Sequence, residues 1–274
     1  MKKQKIKFIY LLVFFILLFS TPSCDDNGVL PIFQPTYDLE LGEQLKTQIS
    51  ADSKNYPPYN ESDANAYLQN IVNELIKAPE ILYAKTFAYK VQIINSNTIN
   101  AFVTPGGYIY VYTGLIKYLE SEAEMAAILA HEIAHADKRH AVQAMQKQYG
   151  VSFLLDLFMP DNAGDLTKFA ADMLTSLAFM KNSRNNELEA DEFSFKYLHS
   201  TKKWYPAAGK DFFQRMLKQS QGGSNIFEEF FSSHPTDADR IEQLDKLIKA
   251  NNIPAPTDSN LFKERYLEFK SKFN

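Results

Sequence analysis

His131-Glu132-Ile133-Ala134-His135 stands inside a run of helix-forming residues that opens at Ser121 and reaches about Gln148. Ser121 with Glu124 three residues on is a capping box, which places the start of a helix there. At 3.6 residues per turn, positions four apart share a face, so both imidazoles reach one ion while Glu132 points to where a bound water would sit. The plain alternative is two histidines on a solvated face, paired with neighbouring carboxylates. A hydrolytic zinc site takes three protein ligands and keeps a fourth position open. Because Cys24 is the only cysteine, the third ligand is restricted to His, Asp or Glu, and no intrachain disulfide or paired-cysteine site exists. Asn186-Glu187-Leu188-Glu189-Ala190-Asp191-Glu192 is the acidic candidate. Glu187 and Asp191 share one helical face, whereas Glu189 is turned about 200° away. That pairing suits a ligand plus an acceptor, with Asp191 holding the distal N–H of a histidine. An acidic first turn complementing its own dipole would explain the same residues.

Outward from this helix, the chain reads as mainly α with a small β-sheet. Leu39, Leu41, Leu45 and Ile49 form one helical stripe. Ala64, Tyr67, Ile71, Leu75 and Ile76 form a second, with Pro57-Pro58 between them. The period then changes to two at Phe87, Tyr89, Val91 and Ile93. The run Tyr108 to Tyr112 follows the turn Pro105-Gly106-Gly107, so two or three strands are expected between residues 86 and 113. Beyond Gly114 the pattern is helical: Val151 to Met159, Leu166 to Met180, Asn185 to His199, Pro206 to Gln219 and Thr236 to Ala250. The apolar segments among these carry Asp156 and Asp172 and are too short to cross a bilayer.

The amino terminus reads differently. Lys2, Lys3, Lys5 and Lys7 precede an apolar run from Phe8 to Phe19, the order of an export signal. Ser20-Thr21-Pro22-Ser23-Cys24 resembles the lipobox at which bacterial lipoproteins are cut and acylated on cysteine; Thr21 stands where leucine is usual, and cleavage without acylation is the alternative. Residues 1–23 are therefore expected to be a signal peptide, with Cys24 lipidated, 24–36 a tether and 37–274 the domain. A hydrophobic fraction of 45% and a charged fraction of 23% over 274 residues exclude a disordered or fibrous chain. Without its first seven residues the chain carries 25 basic against 33 acidic side chains, a net of −8. So acidic a surface argues against a nucleic-acid partner.

Four blocks in order resemble the zinc metallopeptidases of the CAAX-prenyl-protease, HtpX and Oma-like type. The first is Asn100-Ala101-Phe102-Val103-Thr104-Pro105-Gly106-Gly107-Tyr108-Ile109-Tyr110-Val111. The second is His131 to His135 with Arg139-His140, the third Arg184-Asn185-Asn186-Glu187-Leu188-Glu189-Ala190-Asp191, and the fourth Ser233-His234-Pro235 with Arg240-Ile241. Together they cover about Tyr37 to Leu247. The resemblance implies a gluzincin-like domain binding one zinc ion through His131, His135 and Glu187. The intramembrane helices of the prenyl-protease branch have no counterpart, so a prenylated substrate is not implied.

On that footing Glu132 is expected to act as general base on a zinc-activated water, and His234 to donate to the developing oxyanion. His234 closing the open zinc position until substrate arrives is the alternative. His140 is expected to make a structural hydrogen bond rather than to ligate, and His199 to be a surface or packing residue. If the strand from Gly107 to Val111 is a sheet edge, an extended polypeptide could add to it, which makes Gly107, Tyr108 and Ile109 the candidate substrate contacts. The expected partners are an unfolded polypeptide substrate, the membrane through the lipid anchor, and envelope assembly machinery. A non-catalytic adaptor lipoprotein of the same fold is the competing class, and a zinc hydrolase of other amides or esters a third. Glu132 separates adaptor from enzyme, since a scaffold needs no carboxylate between two ligands.

Overall fold

The computed structural model describes residues 28–176, 182–223, 225–235 and 238–273. The export signal and Cys24 lie outside those residues. Helix α1, Pro35–Ala51, starts with proline in its first turn and buries Leu41, Leu45 and Ile49. Helix α2, Ser62–Leu75, buries Ala64, Leu68, Ile71, Val72 and Leu75. The first stripe is the one read from the apolar spacing; in the second, Leu68 and Val72 join Ala64, Ile71 and Leu75 in the core, while Tyr67 and Ile76 are only partly buried. The packed fold begins earlier than Tyr37, however: Val29 and Phe33 are fully buried, and Leu30 donates its N–H to the Gln146 side chain at 3.0 Å. The second half of the expected tether is thus part of the domain, because its few apolar residues fill a pocket that no periodic pattern announces.

Strands β1 (Lys90–Ile94), β2 (Ala101–Thr104) and β3 (Tyr108–Tyr112) form one sheet in the order β1-β3-β2. β3 runs parallel to β1 and antiparallel to β2. The alternating stretch yields a regular strand only from Lys90: Tyr89 adopts a left-handed φ of 40°, and before it a single bond, from the Ala88 N–H to the Gly106 carbonyl at 2.8 Å, carries the pairing. β3 is buried along its whole length, as a central strand with both faces covered must be. Ile109 and Val111 pack with the apolar cluster around the long helices, while Tyr108, Tyr110 and Tyr112 face a second cluster with α1. The edge expected at Gly107, Tyr108 and Ile109 is therefore corrected: β3 already has a partner on each side and cannot accept another strand. The edges are β1, whose outer main-chain groups are taken up by the Gln69 and Asn65 side chains and the Tyr59 N–H, and β2, which borders the cleft.

After α3 (Thr113–Tyr118), Ser121 caps α4 (Glu122–Asp137), accepting the N–H of Glu124 at 3.2 Å; the other half of the expected capping box differs, since the Glu124 carboxylate accepts the N–H of Glu120 at 2.9 Å rather than that of Ser121. The helix does not continue to Gln148. Arg139 takes φ 57°, and α5 (His140–Tyr149) sets off in a new direction. That conformation costs a non-glycine residue on the order of 1–2 kcal/mol. It is held by the buried Arg139 guanidinium, which donates to Asp38 at 2.7 Å and to the Phe33 carbonyl at 2.7 Å. Helices α6 (Val151–Leu157) and α7 (Ala163–Ser176) cover the tyrosine face of the sheet. Among the described residues no helix is long and apolar enough to cross a membrane. Helices α8 (Arg184–Thr201), α9 (Gly209–Gln221), α10 (Glu228–Ser233) and α11 (Ala238–Ala250) enclose α4 from the other side. The short α12 (Asp258–Leu261) and α13 (Lys263–Lys270) strap the start of α4: Tyr266 donates to the Ile116 carbonyl at 2.8 Å, and Arg265 pairs with Glu122. The result is the mainly helical architecture with a small sheet that the periodicities imply.

Candidate metal centre

Every residue of α4 is buried. Ala126, Ala127, Ala130 and Ala134 give it a narrow girth, so α8 and the sheet close in on it, and Ser194 of α8 donates to the Ala127 carbonyl at 3.1 Å. That approach sets two pairs of side chains, each one turn apart, against each other: His131 and His135 from α4, Glu187 and Asp191 from α8. α8 is fixed at its start by Ser183, which accepts the Asn186 N–H at 3.2 Å. The His131 and His135 Nε2 atoms are 3.0 Å apart. Glu187 Oε2 lies 3.2 Å from His131 Nε2, and Glu187 Oε1 lies 3.2 Å from His135 Nε2. Corners of a tetrahedron with zinc-to-ligand distances of 2.0–2.1 Å are about 3.3 Å apart. The donor set therefore fits a single tetrahedral ion. Two histidines and a carboxylate are also the donors of a catalytic rather than a purely structural zinc site.

The outer nitrogens are engaged in the sense that leaves both Nε2 atoms facing inward. His131 Nδ1 lies 2.9 Å from Asp191 Oδ1. His135 Nδ1 lies 2.7 Å from His140 Nδ1, and His140 Nε2 lies 3.1 Å from Glu189 Oε2. Glu189, turned off the Glu187 face as the helical geometry requires, thus meets His140 instead. The expected structural bond of His140 is present, although not by the expected route, since the break at Arg139 sets its direction. His199 is exposed on α8 and stacks on Phe195.

Glu132 is 2% exposed, its Oε1 3.6 Å from His234 Nε2. Burial raises its carboxyl above the ordinary range, against the pull of His234 and His131. His234, at the end of α10, is brought into the same cluster. Its Nδ1 is 3.3 Å from each Glu187 oxygen and its Nε2 3.3 Å from the Ala101 carbonyl of β2. His131, His135, Glu187 and His234 each offer one donor atom, and all four atoms lie within 4.8 Å of one another. Burial would depress the His131 imidazole, but Glu187 and Asp191 hold it up at about 9. His135, buried and flanked by other imidazoles, is pushed well below the ordinary histidine range despite Glu187.

Arg240 is the site residue whose role the sequence did not disclose. It is fully buried on α11, with Nε and Nη2 each 2.6 Å from an Asp191 oxygen and Nη1 2.9 Å from Glu187 Oε2. Its guanidinium stacks on Phe213 at 4.1 Å. Against the cost of burial, His234 and Arg240 hold Glu187 well below the carboxylate range, and Arg240 with His131 holds Asp191 low. One signal was present: Arg240 lies one turn before Leu244 on the apolar stripe of its helix, a place where a charge needs a buried partner.

The cleft beside these residues is lined by Phe102, Val103, Thr104, Glu132, His135 and His234. The Asn100 carbonyl accepts the Tyr112 N–H at 3.1 Å. The antiparallel alternation then turns the N–H and C=O of Ala101 and Val103 away from β3. Ala101 uses both, accepting from His234 and donating to the Asn100 side chain at 2.9 Å. The main-chain groups of Val103 face the cleft.

A model of peptidase family M48 matches residues 62–248. Among curated relatives, a putative β-barrel assembly-enhancing protease of Vibrio cholerae is 32% identical over 73% of this chain and 42% of its own. The mitochondrial metalloendopeptidase OMA1 of Schizosaccharomyces pombe is 31% identical over 62% of this chain and 49% of its own. The β-barrel assembly-enhancing protease of Escherichia coli is 28% identical over 79% of this chain and 44% of its own. The chain thus spans less than half the length of each of these three.

Proposed function

The chain belongs to peptidase family M48, and from that we propose that it is a zinc-dependent endopeptidase of the cell envelope that cleaves unfolded or misassembled envelope proteins. His131, His135 and Glu187 are the metal ligands, with Asp191 orienting His131. A zinc ion held there would lower the pKa of a bound water toward 7 and polarise the scissile carbonyl. Glu132, left off the ligand set and buried beside it, takes the proton of the attacking water and returns it to the leaving amine. His234 supplies a donor to the developing oxyanion. Its proximity to the three ligands also supports a second role, covering the open corner of the ion until substrate displaces it. The observation that carries the reading is the convergence of the two imidazole Nε2 atoms and the two Glu187 oxygens at 3.0 to 3.2 Å, close to the edge length of a zinc tetrahedron.

The substrate strand is assigned to β2 rather than to β3. A polypeptide extended along the cleft would pair with the main chain of Val103, and backbone pairing asks for an unstructured segment rather than a particular sequence. The names of the bacterial relatives, which refer to β-barrel assembly, support substrates and partners in envelope biogenesis. Export and a lipid on Cys24 would put the domain there; detergent partitioning that is identical for wild type and Cys24→Ala would remove the anchor. The test of the chemistry is zinc content together with cleavage of casein by wild type and Glu132→Gln. Equal zinc and equal cleavage would refute Glu132 as the base and return the adaptor reading.

A further inference from the structure

The two histidine ligands are backed differently. His131 Nδ1 meets a buried carboxylate, Asp191, at 2.9 Å. His135 Nδ1 meets a second imidazole at 2.7 Å, which in turn reaches the Glu189 carboxylate, whose side chain is 38% exposed, at 3.1 Å. With an ion held at His135 Nε2, the proton assignment along this chain follows. Nε2 of His135 faces His131 and Glu187, so its lone pair serves the ion and its proton sits on Nδ1. His140 Nδ1 must then accept, its own proton sits on Nε2, and Glu189 accepts that one.

The placement of His140 is itself built. In an unbroken helix residue 140 would be rotated about 140° from residue 135, away from its ring. The left-handed turn at Arg139 brings it back, and the Asp38 carboxylate holds Arg139 in that turn. Two otherwise costly features, a strained residue and a fully buried arginine–aspartate pair, thus serve one contact.

We infer that His140 and Glu189 are positioning residues for the metal: through the bonds Glu189 to His140 to His135 they fix the tautomer and ring orientation of His135, so that zinc retention depends on a side chain at the protein surface. The inference rests on His135 being a zinc ligand, as proposed above. Outer partners of this kind are worth about 10- to 100-fold in metal affinity.

Zinc affinity and release rate are measured on the full chain by competition with a chromophoric chelator, alongside far-UV circular dichroism. His140→Phe is expected to bind zinc about 10- to 100-fold more weakly and to release it faster. Glu189→Gln, which keeps an acceptor but loses the charge, should shift affinity in the same direction by less. In the double variant the Glu189 effect should vanish, because it acts only through His140; a residue that merely stabilised the fold would add its effect. Wild-type affinity in His140→Phe, or an undiminished Glu189→Gln effect in the double variant, overturns the inference. If His140→Phe does not fold, wild-type affinity in Glu189→Gln overturns it alone. Failure of the parent reading looks different, since wild type itself would then bind no zinc with these residues.

Discussion

Arg240→Met is the sharpest test of how the site is held together. Arg240 is fully buried and neutralises two carboxylates that are 0% and 3% exposed, at 2.6 Å and 2.9 Å. Methionine fills similar volume and can keep the contact with Phe213, so the change removes charge more than packing. Breaking a buried pair by deleting one partner costs about 3–5 kcal/mol, because the other charge stays buried and uncompensated. For a domain of this size, each kcal/mol corresponds to roughly 2–4 °C in Tm, so a loss of about 6–20 °C is expected in the metal-free protein. The loss should be smaller with zinc bound, since the dication compensates Glu187. The pH dependence has a definite sign. Arg240 helps hold Glu187 and Asp191 low, and a carboxylate with a depressed folded pKa contributes stability above its unfolded value that is lost as pH falls. Removing Arg240 should therefore move the acid-unfolding midpoint of the metal-free protein to higher pH. Adding Asp191→Asn to Arg240→Met should recover part of the loss, since the orphaned charge disappears. Thermal unfolding with chelator and with zinc, followed by circular dichroism across pH 3–7, reads all of this. A loss under about 1 kcal/mol in chelator would refute the claim that Arg240 is the counterion on which the carboxylates depend.

The other predictions are briefer. Glu132→Gln should lower kcat by about 10²- to 10⁴-fold with zinc content unchanged; equal loss of zinc would make Glu132 structural. His131 is held at about 9 in the metal-free protein, and a ligand must give up its proton, so zinc affinity should rise at least about tenfold per pH unit from roughly pH 6.5 to 9 as the His131 proton is released. A flat profile by chelator competition refutes that. For the same reason the stabilisation from protonated His131 is fully present below about pH 6.5 and is lost as pH rises through 9 in the metal-free protein. Ser121→Ala removes the cap of α4 and should cost about 0.5–2 kcal/mol, read by urea unfolding.

The site was legible in the sequence where it depends on helical phase and obscure where it depends on breaks and long-range packing. Two histidines four apart, and Glu187 with Asp191 four apart, follow from 3.6 residues per turn alone, which is why the structure finds both pairs on shared faces. The direction of His140 does not follow, because Arg139 adopts a left-handed conformation that nothing in its own neighbourhood favours; its cause is Asp38, far off in sequence. The strands around Val91 and Tyr110 were visible as a change of period, but their order was not. A run of five residues buried on both faces marks a central strand, and that continuous apolar character of Tyr108 to Tyr112 was the clue against placing it at an edge. Likewise Val29 and Phe33 lie in a proline-punctuated stretch, where a short apolar run broken by Pro31 is too brief to carry a periodic signal, yet both fill the cluster beside α1.

The charges of the site add up in a way that links binding to catalysis. In the metal-free protein Glu187 and Asp191 are held ionised, opposite the guanidinium of Arg240 and an imidazole of His131 whose pKa, about 9, keeps it protonated at neutral pH. Two negative charges meet two positive ones, and Glu132, for which burial is the main influence, is pushed toward its neutral form. A dication that displaces the His131 proton leaves one positive charge in excess. The nearest group that can answer it is Glu132, and an opposite charge within a few ångströms favours the ionised form of a carboxyl. Metal binding should therefore bring the Glu132 carboxyl back down and favour the ionised form that the proposed base needs. Proton release on zinc binding tests this reading: wild type should release more than Glu132→Gln, and equal release by the two proteins would break the link.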